Sequence, residues 1–187
     1  MPEPTPSLPF AVALEALYGE AAAPPLERRV SDLRGLCADE AARAALEAAG
    51  NPVVYRVAGP RVPERAGELP FSVTTVEPGT VGDEFHFTKG HWHETPAGEL
   101  YLGLEGEGLL VLFDGREARW LELAAGVAGY IPPGWAHRTV NTGPGPLRFL
   151  AVYPGDAGHD YARVAREGLG VRVLRSPLGY RVEPARP

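Results

Sequence analysis

Glutamine is absent from this chain, lysine occurs once, at Lys89, cysteine once, at Cys37, and asparagine only at Asn51 and Asn141. A single cysteine excludes an intrachain disulfide and any thiolate-built metal cage, leaving Cys37 as a small apolar core or helix-side residue. No basic run exists and the formal net charge is -6, which argues against a nucleic-acid partner. The longest apolar stretches are strand-sized, and the opening Met-Pro-Glu-Pro-Thr-Pro has neither the charged nor the apolar region of a secretory leader. A soluble, cytoplasmic protein without membrane contact is therefore expected. Few thermolabile amides together with 20 prolines fit a heat-adapted source, and a GC-rich genome would bias the composition the same way, so both readings stand.

What is present divides near residue 52. A length of 187 residues suits one domain with an ample core. Residues 1–30 are rich in proline and alanine, hold at most a short helical stretch from Val12 to Tyr18, and are expected to wrap the body or a partner subunit. Asp39 to Ala49 reads as a helix, with acidic Asp39 and Glu40 at its start, an alanine-rich middle, and Gly50 as its stop. From there β-like runs recur: 53–58, 71–77, 84–88, 99–104, 108–113, 118–123, 128–131, 138–141 and 147–153. Turns rich in Gly, Pro and Asp separate them. Many short strands so punctuated predict an all-β sandwich or barrel. We therefore read residues 1–51 as an extension carrying a short helix and residues 52–187 as the barrel domain. Alternation puts Glu99 and Tyr101 on one strand face, toward a pocket, and Leu100, Leu102 and Leu104 on the other, where they can fill the packing of a layer.

Three imidazoles and one carboxylate carry the chemistry. His91 and His93 are two apart, so on a strand both rings project to one side and can grip one ion. Glu99 and His137 come from later strands, as a barrel interior requires. Mixed nitrogen and oxygen donors favour a divalent first-row metal such as Fe, Mn, Ni, Co or Zn. Four protein ligands on an octahedral ion leave two positions open, which points to catalysis. Glu94 is the competing carboxylate, but it follows His93 directly and points off the ligand face. His86 has the opposite parity to His91 and reads as a packed or rim histidine, and Arg138, beside His137, points away by parity. Trp92 and Trp135 read as walls of the cavity or an interface.

Gly126, Pro132, Gly134, His137 and Asn141, spaced G-x5-P-x-G-x2-H-x3-N, match the second motif of the cupin superfamily at every fixed position. His91, His93, Glu99 and Gly106 match the first motif, with a longer gap before Glu99 than usual and without its opening glycine. That gap, with Phe87-Thr88-Lys89-Gly90-His91, Tyr130-Ile131-Pro132-Pro133 and the stretch from Tyr153 to Tyr161, resembles the cupin-type glucose-6-phosphate isomerases of archaea and some bacteria. The resemblance runs from about Arg28 to about residue 174.

It implies a double-stranded β-helix, a homodimer, and interconversion of glucose 6-phosphate and fructose 6-phosphate through a metal-bound enediolate. By position it implies one divalent metal per subunit, Fe(II) first, on His91, His93, Glu99 and His137. The phosphate falls on Thr74, Thr88, Gly90 and Tyr101, with Thr75 an alternative to Thr74. Tyr153, His159 and Tyr161 fall near the sugar. Thr88 and Gly90 have the opposite strand parity from His91 and His93, so a kink at Gly90 must reconcile them. Glu99 is the candidate base, with His159 or Tyr153 moving protons among the oxygens. A metal-assisted hydride shift would use the same ligands. Rival functions on the same scaffold are a cupin dioxygenase, a mannose 6-phosphate isomerase, and a non-catalytic sugar-binding cupin.

Overall fold

Alternating apolar residues and turn-forming glycines produce antiparallel strands throughout, and a computed structural model describes residues 8–18 and 25–185. Residues 1–7 and 19–24, within the predicted extension, and 186–187 lie outside the described residues. The elements begin with α1 (Glu15–Tyr18), β1 (Leu26–Arg29), a 3-10 turn (Val30–Leu33) and α2 (Glu40–Ala48). There follow β2 (Val53–Ala58), β3 (Phe71–Val76), β4 (Thr80–Val81), β5 (Glu84–Phe85), β6 (Glu99–Glu105) and β7 (Glu107–Phe113). The chain continues through β8 (Ala118–Ala124), β9 (Ala128–Ile131), β10 (Ala136–Asn141), β11 (Leu147–Val152) and α3 (Tyr161–Glu167). It closes on the hairpin β12 (Val171–Ser176) and β13 (Gly179–Pro184).

One layer is a six-stranded sheet in the order β1-β2-β3-β11-β6-β9, and the other combines β10-β7-β8 with β13-β12-β5-β4. This is the double-stranded β-helix expected from the sequence, with antiparallel pairing throughout. Between the layers Leu110, Leu123, Ile131, Leu147 and Phe149 are sealed from solvent. At about 25 cal/mol per Å², such burial is the main term holding the layers together. Asn141, the last residue of the second motif, is wholly buried and structural: its Nδ2 donates to the carbonyls of Val76 at 2.8 Å and Gly145 at 2.9 Å. No helix among the described residues is long and apolar enough to cross a membrane.

The strands at 53–58 and 128–131 coincide with those read from sequence, and α2 is capped by the Asp39 carboxylate, which accepts from the Ala42 amide at 2.8 Å. The expected strand at 84–88 is shorter. β5 ends at Phe85, and beyond it the chain meets β10 only through isolated bridges at Phe87 and His91, with Gly90 at φ +75 between them. Leu100 and Leu102 take the face opposite Glu99 and Tyr101, as alternation requires, and the packing expected of them is partial: they lie on the outer face of the six-stranded sheet, beside Tyr130 and Leu150. Leu100 is 44% exposed there and Tyr130 60%. β1, β4, α3, β12 and β13 were not anticipated. β1 pairs with β2 at the sheet edge, and α1 lies against the outer face of β3.

Candidate metal centre and substrate pocket

Strand pairing brings the four sequence-predicted ligands together. Glu99 opens β6, His137 lies in β10, and the His91 to His93 segment is bridged to β10 through His91 and His137. One ligand atom from each of His91, His93, Glu99 and His137 lies within 4.8 Å of every other. Glu99 Oε2 is the hub, 2.9 Å from His137 Nε2, 3.1 Å from His93 Nε2 and 3.9 Å from His91 Nε2. Ligands about 2.1 Å from a shared ion stand about 3 to 4.2 Å apart, so the distances from Glu99 suit one first-row cation.

The donor chemistry passes a second test. His93 Nδ1 donates to the Ala97 carbonyl at 2.8 Å, and His137 Nδ1 faces the Trp135 carbonyl at 3.4 Å. A carbonyl only accepts, so these contacts put the protons on Nδ1 and turn the Nε2 lone pairs inward. The Nε2 atoms of His91 and His137 are buried without a hydrogen-bond partner; for His137 the 2.9 Å approach to Glu99 lacks bonding alignment. Inward lone pairs facing a carboxylate are costly without a cation. The residues present therefore fit a divalent metal.

Electrostatics agree. Burial pushes the Glu99 carboxyl up, but the imidazoles of His137 and His93 outweigh it and hold it at about 2. Burial, reinforced by His137, His159 and His93, pushes His91 well below its ordinary value, so it stands neutral and ready to ligate. For His93, burial lowers the value, and the Glu99 and Ala97 hydrogen bonds outweigh it to leave a net rise.

His91, Glu99 and His137 of the cluster line a cavity of about 250 Å³, together with Thr74, Thr88, Gly90, Tyr101, Tyr153, His159 and Tyr161. Every sequence-predicted substrate residue is thus in one pocket. Thr74 faces it, and Thr75 faces the opposite side of the sheet. Thr88 and Gly90 share it with His91 because of an inserted residue. Phe87 pairs with Val140 and His91 with His137, so four steps on one strand match three on the other. That one-residue bulge, turned at Gly90, supplies the expected kink. A family model described as glucose-6-phosphate isomerase (GPI) matches residues 27–182.

This chain belongs to the glucose-6-phosphate isomerase family. The glucose-6-phosphate isomerase of Pyrococcus horikoshii is 46% identical over 151 residues, covering 80% of this chain and 80% of its own. That of Thermococcus gammatolerans is 43% identical over 169 residues, covering 89% of each. An oxalate oxidase structure with the substrate analogue glycolate overlaps 51% of this chain and 47% of its own at 18% identity and a TM-score of 0.44.

Above the cluster of this family member, aromatic rings close the pocket. The His159 ring lies 4.5 Å from that of His91, 5.3 Å from Tyr153, and is stacked on Tyr161 at 5.9 Å. Burial lowers His159 below its ordinary value and pushes Tyr153 up to about 12, so near neutral pH the imidazole can accept a proton and the phenol can donate one. α3 anchors this corner. Asp160 exchanges backbone hydrogen bonds with Trp92 and caps the helix by accepting from the Arg163 amide at 2.9 Å.

Several predicted alternatives fall outside the pocket. Glu94 packs against Gly158, His86 is buried with Nδ1 3.1 Å from the Glu77 carbonyl, and Arg138 points behind the His137 strand. Trp92 is not a cavity wall: it is buried against Phe113, with the Arg163 guanidinium 3.7 Å over its ring. Three polar pocket residues were missed, namely Tyr55, Ser72 and Glu64. Alternation could have found Ser72, which shares its strand face with Thr74, and Tyr55, which shares one with Val57. Glu64 sits in an irregular loop and carries no such signal.

Proposed function

We propose that this chain interconverts glucose 6-phosphate and fructose 6-phosphate with one divalent ion per subunit, Fe(II) first and Mn, Ni, Co or Zn as substitutes. His91, His93, Glu99 and His137 hold the ion. The observation that carries the reading is a cation-demanding cluster in a pocket whose polar lining consists of hydroxyls, a glycine backbone and proton-transfer side chains. When bound, the ion supplies a Lewis acid that polarises the substrate carbonyl and stabilises developing oxyanion charge.

The chain's own groups do the rest. Thr74, Thr88, Gly90 and Tyr101 receive the phosphate and fix the distance from it to the reacting carbons. Tyr101 stays neutral as a donor, since burial and the Glu99 charge push its phenol well above the ordinary value. Glu99, held ionised, takes the proton from C2 of the open-chain aldose and returns it to C1. Its Oε2 faces the three imidazoles, which leaves Oε1 for this transfer. His159 carries the hydroxyl proton from O2 to O1, oriented by Tyr153 and Tyr161, and the Glu64 charge favours its protonated form.

Phosphorylated hexoses are held inside cells, and that supports assigning the protein to the cytoplasm. Residues 1–51 serve as an extension of the barrel, and the exposed lane of Leu100, Tyr130 and Val127 serves a homodimer. The deciding experiment strips the protein with a chelator, resupplies single divalent metals, and follows conversion of fructose 6-phosphate in D2O. Metal-dependent turnover with solvent deuterium at C2 of the aldose is expected. Metal binding without turnover would sink the substrate assignment, and turnover without deuterium would replace the base with a hydride shift.

A further inference from the structure

Arg138 is the most deeply buried cation near the pocket, 8% exposed, yet it lies outside the cavity, behind the strand that carries His137. Its surroundings are apolar on one side, with the guanidinium 4.3 Å over the Phe87 ring. A guanidinium is always charged at neutral pH, so Arg138 is a buried cation. No carboxylate is hydrogen-bonded to it among the described residues. Its one hydrogen bond there runs from Nη2 to the Lys89 carbonyl at 2.7 Å, a short, charge-assisted contact.

The Lys89 carbonyl and the Gly90 N–H belong to the same peptide unit. In a trans peptide these groups point in opposite directions. With the carbonyl turned to Arg138, the N–H is directed toward the pocket that Gly90 lines, and it has no protein acceptor among the described residues. The peptide is also fixed in space. Thr88 exchanges bonds with Thr139, its amide donating to the Thr139 carbonyl at 2.9 Å and its Oγ1 accepting from the Thr139 amide at 3.0 Å. A Cβ on Gly90 would stand 2.8 Å from the His137 carbonyl oxygen and 3.1 Å from Leu169 Cδ1, so the bulge has no slack.

We propose that Arg138 is a positioning residue for the phosphate end of the substrate, polarising and orienting the Lys89–Gly90 peptide from behind so that the Gly90 N–H becomes a strong anion donor. The inference rests on the reading above that this corner receives the phosphate. A cation on one end of a peptide dipole strengthens the donor at the other, and the low dielectric around Arg138 magnifies the effect. Arg138 thereby acts on a ligand it never touches.

The test compares Arg138→Met, Arg138→Gln and Arg138→Lys with wild type, each metal-loaded and matched for metal content and thermal midpoint. Two readouts are used: KM and kcat with fructose 6-phosphate, and binding of inorganic phosphate by calorimetry. Met and Gln should raise KM and the phosphate Kd about tenfold, with kcat within about threefold of wild type, and Lys should recover most of both losses. Unchanged KM and phosphate Kd in a folded Met or Gln variant would overturn the proposal. So would a fall in kcat or metal content without a KM change, or a Lys variant alone able to fold, since each would make Arg138 a stability residue. If metal-loaded wild type fails to turn over fructose 6-phosphate, the substrate reading falls instead. The calorimetric comparison still decides the role of Arg138.

Discussion

At the residue scale, the four ligands and their neighbours differ in what their loss should do. His137 is a fully buried member of the cluster, so His137→Ala should remove most bound metal, as elemental analysis after gel filtration would reveal. Tyr153→Phe and His159→Ala delete groups that touch the pocket and leave the cluster intact, so they should keep metal and lose about 10²-fold or more in kcat. Full activity in both would remove them from proton transfer. The four-residue cluster was legible in the sequence because each side chain sits at a fixed motif spacing. The choice between Thr74 and Thr75 was not: adjacent threonines alternate faces, and only the pairing of Thr74 with Phe149 fixes which one turns inward.

Elements were legible where the pattern was periodic. β2 and β9 matched their expected bounds because apolar residues with turns on both sides leave one reading. β12 and β13 escaped because an arginine-rich hairpin at the surface has little apolar alternation to report. α3 escaped through brevity, although Asp160 before it and Gly168 after it are a proper cap and stop. This short helix holds the loop that presents His159. Asp160→Ala removes the cap on the Arg163 amide and should cost about 1 kcal/mol of stability. It should also lower kcat while metal content stays unchanged, and a variant with lowered melting temperature but full kcat would show that α3 does not position His159.

For the whole molecule, acid stability and assembly are the properties to test. Burial holds His86 below its ordinary value, away from the metal ligands. Its unfolded ring takes a proton near pH 6.5, and the folded ring takes one only at lower pH. Between those values the unfolded state binds more protons, so the contribution is complete above about 6.5 and is lost as pH falls toward the folded value. Urea midpoints of metal-free protein should drop between pH 7.5 and 5.5, and His86→Gln should flatten that drop. Light scattering should give a dimer near twice 20.0 kDa, and Tyr130→Glu with Leu100→Glu should give monomers. A wild-type monomer would reject the outer-face interface.

The single extra residue at Gly90 has a consequence for how such a pocket changes over time. Pleat parity gives a strand two reading frames, one for each face, and the bulge switches frames between Thr88 and His91. The stretch with the candidate ligands and the stretch proposed to receive the anion therefore face the pocket in different frames of one continuous ribbon. On the reading proposed above, a chain without the insertion would keep the ligand cluster and turn Thr88 out of the pocket, giving up the corner assigned to the phosphate.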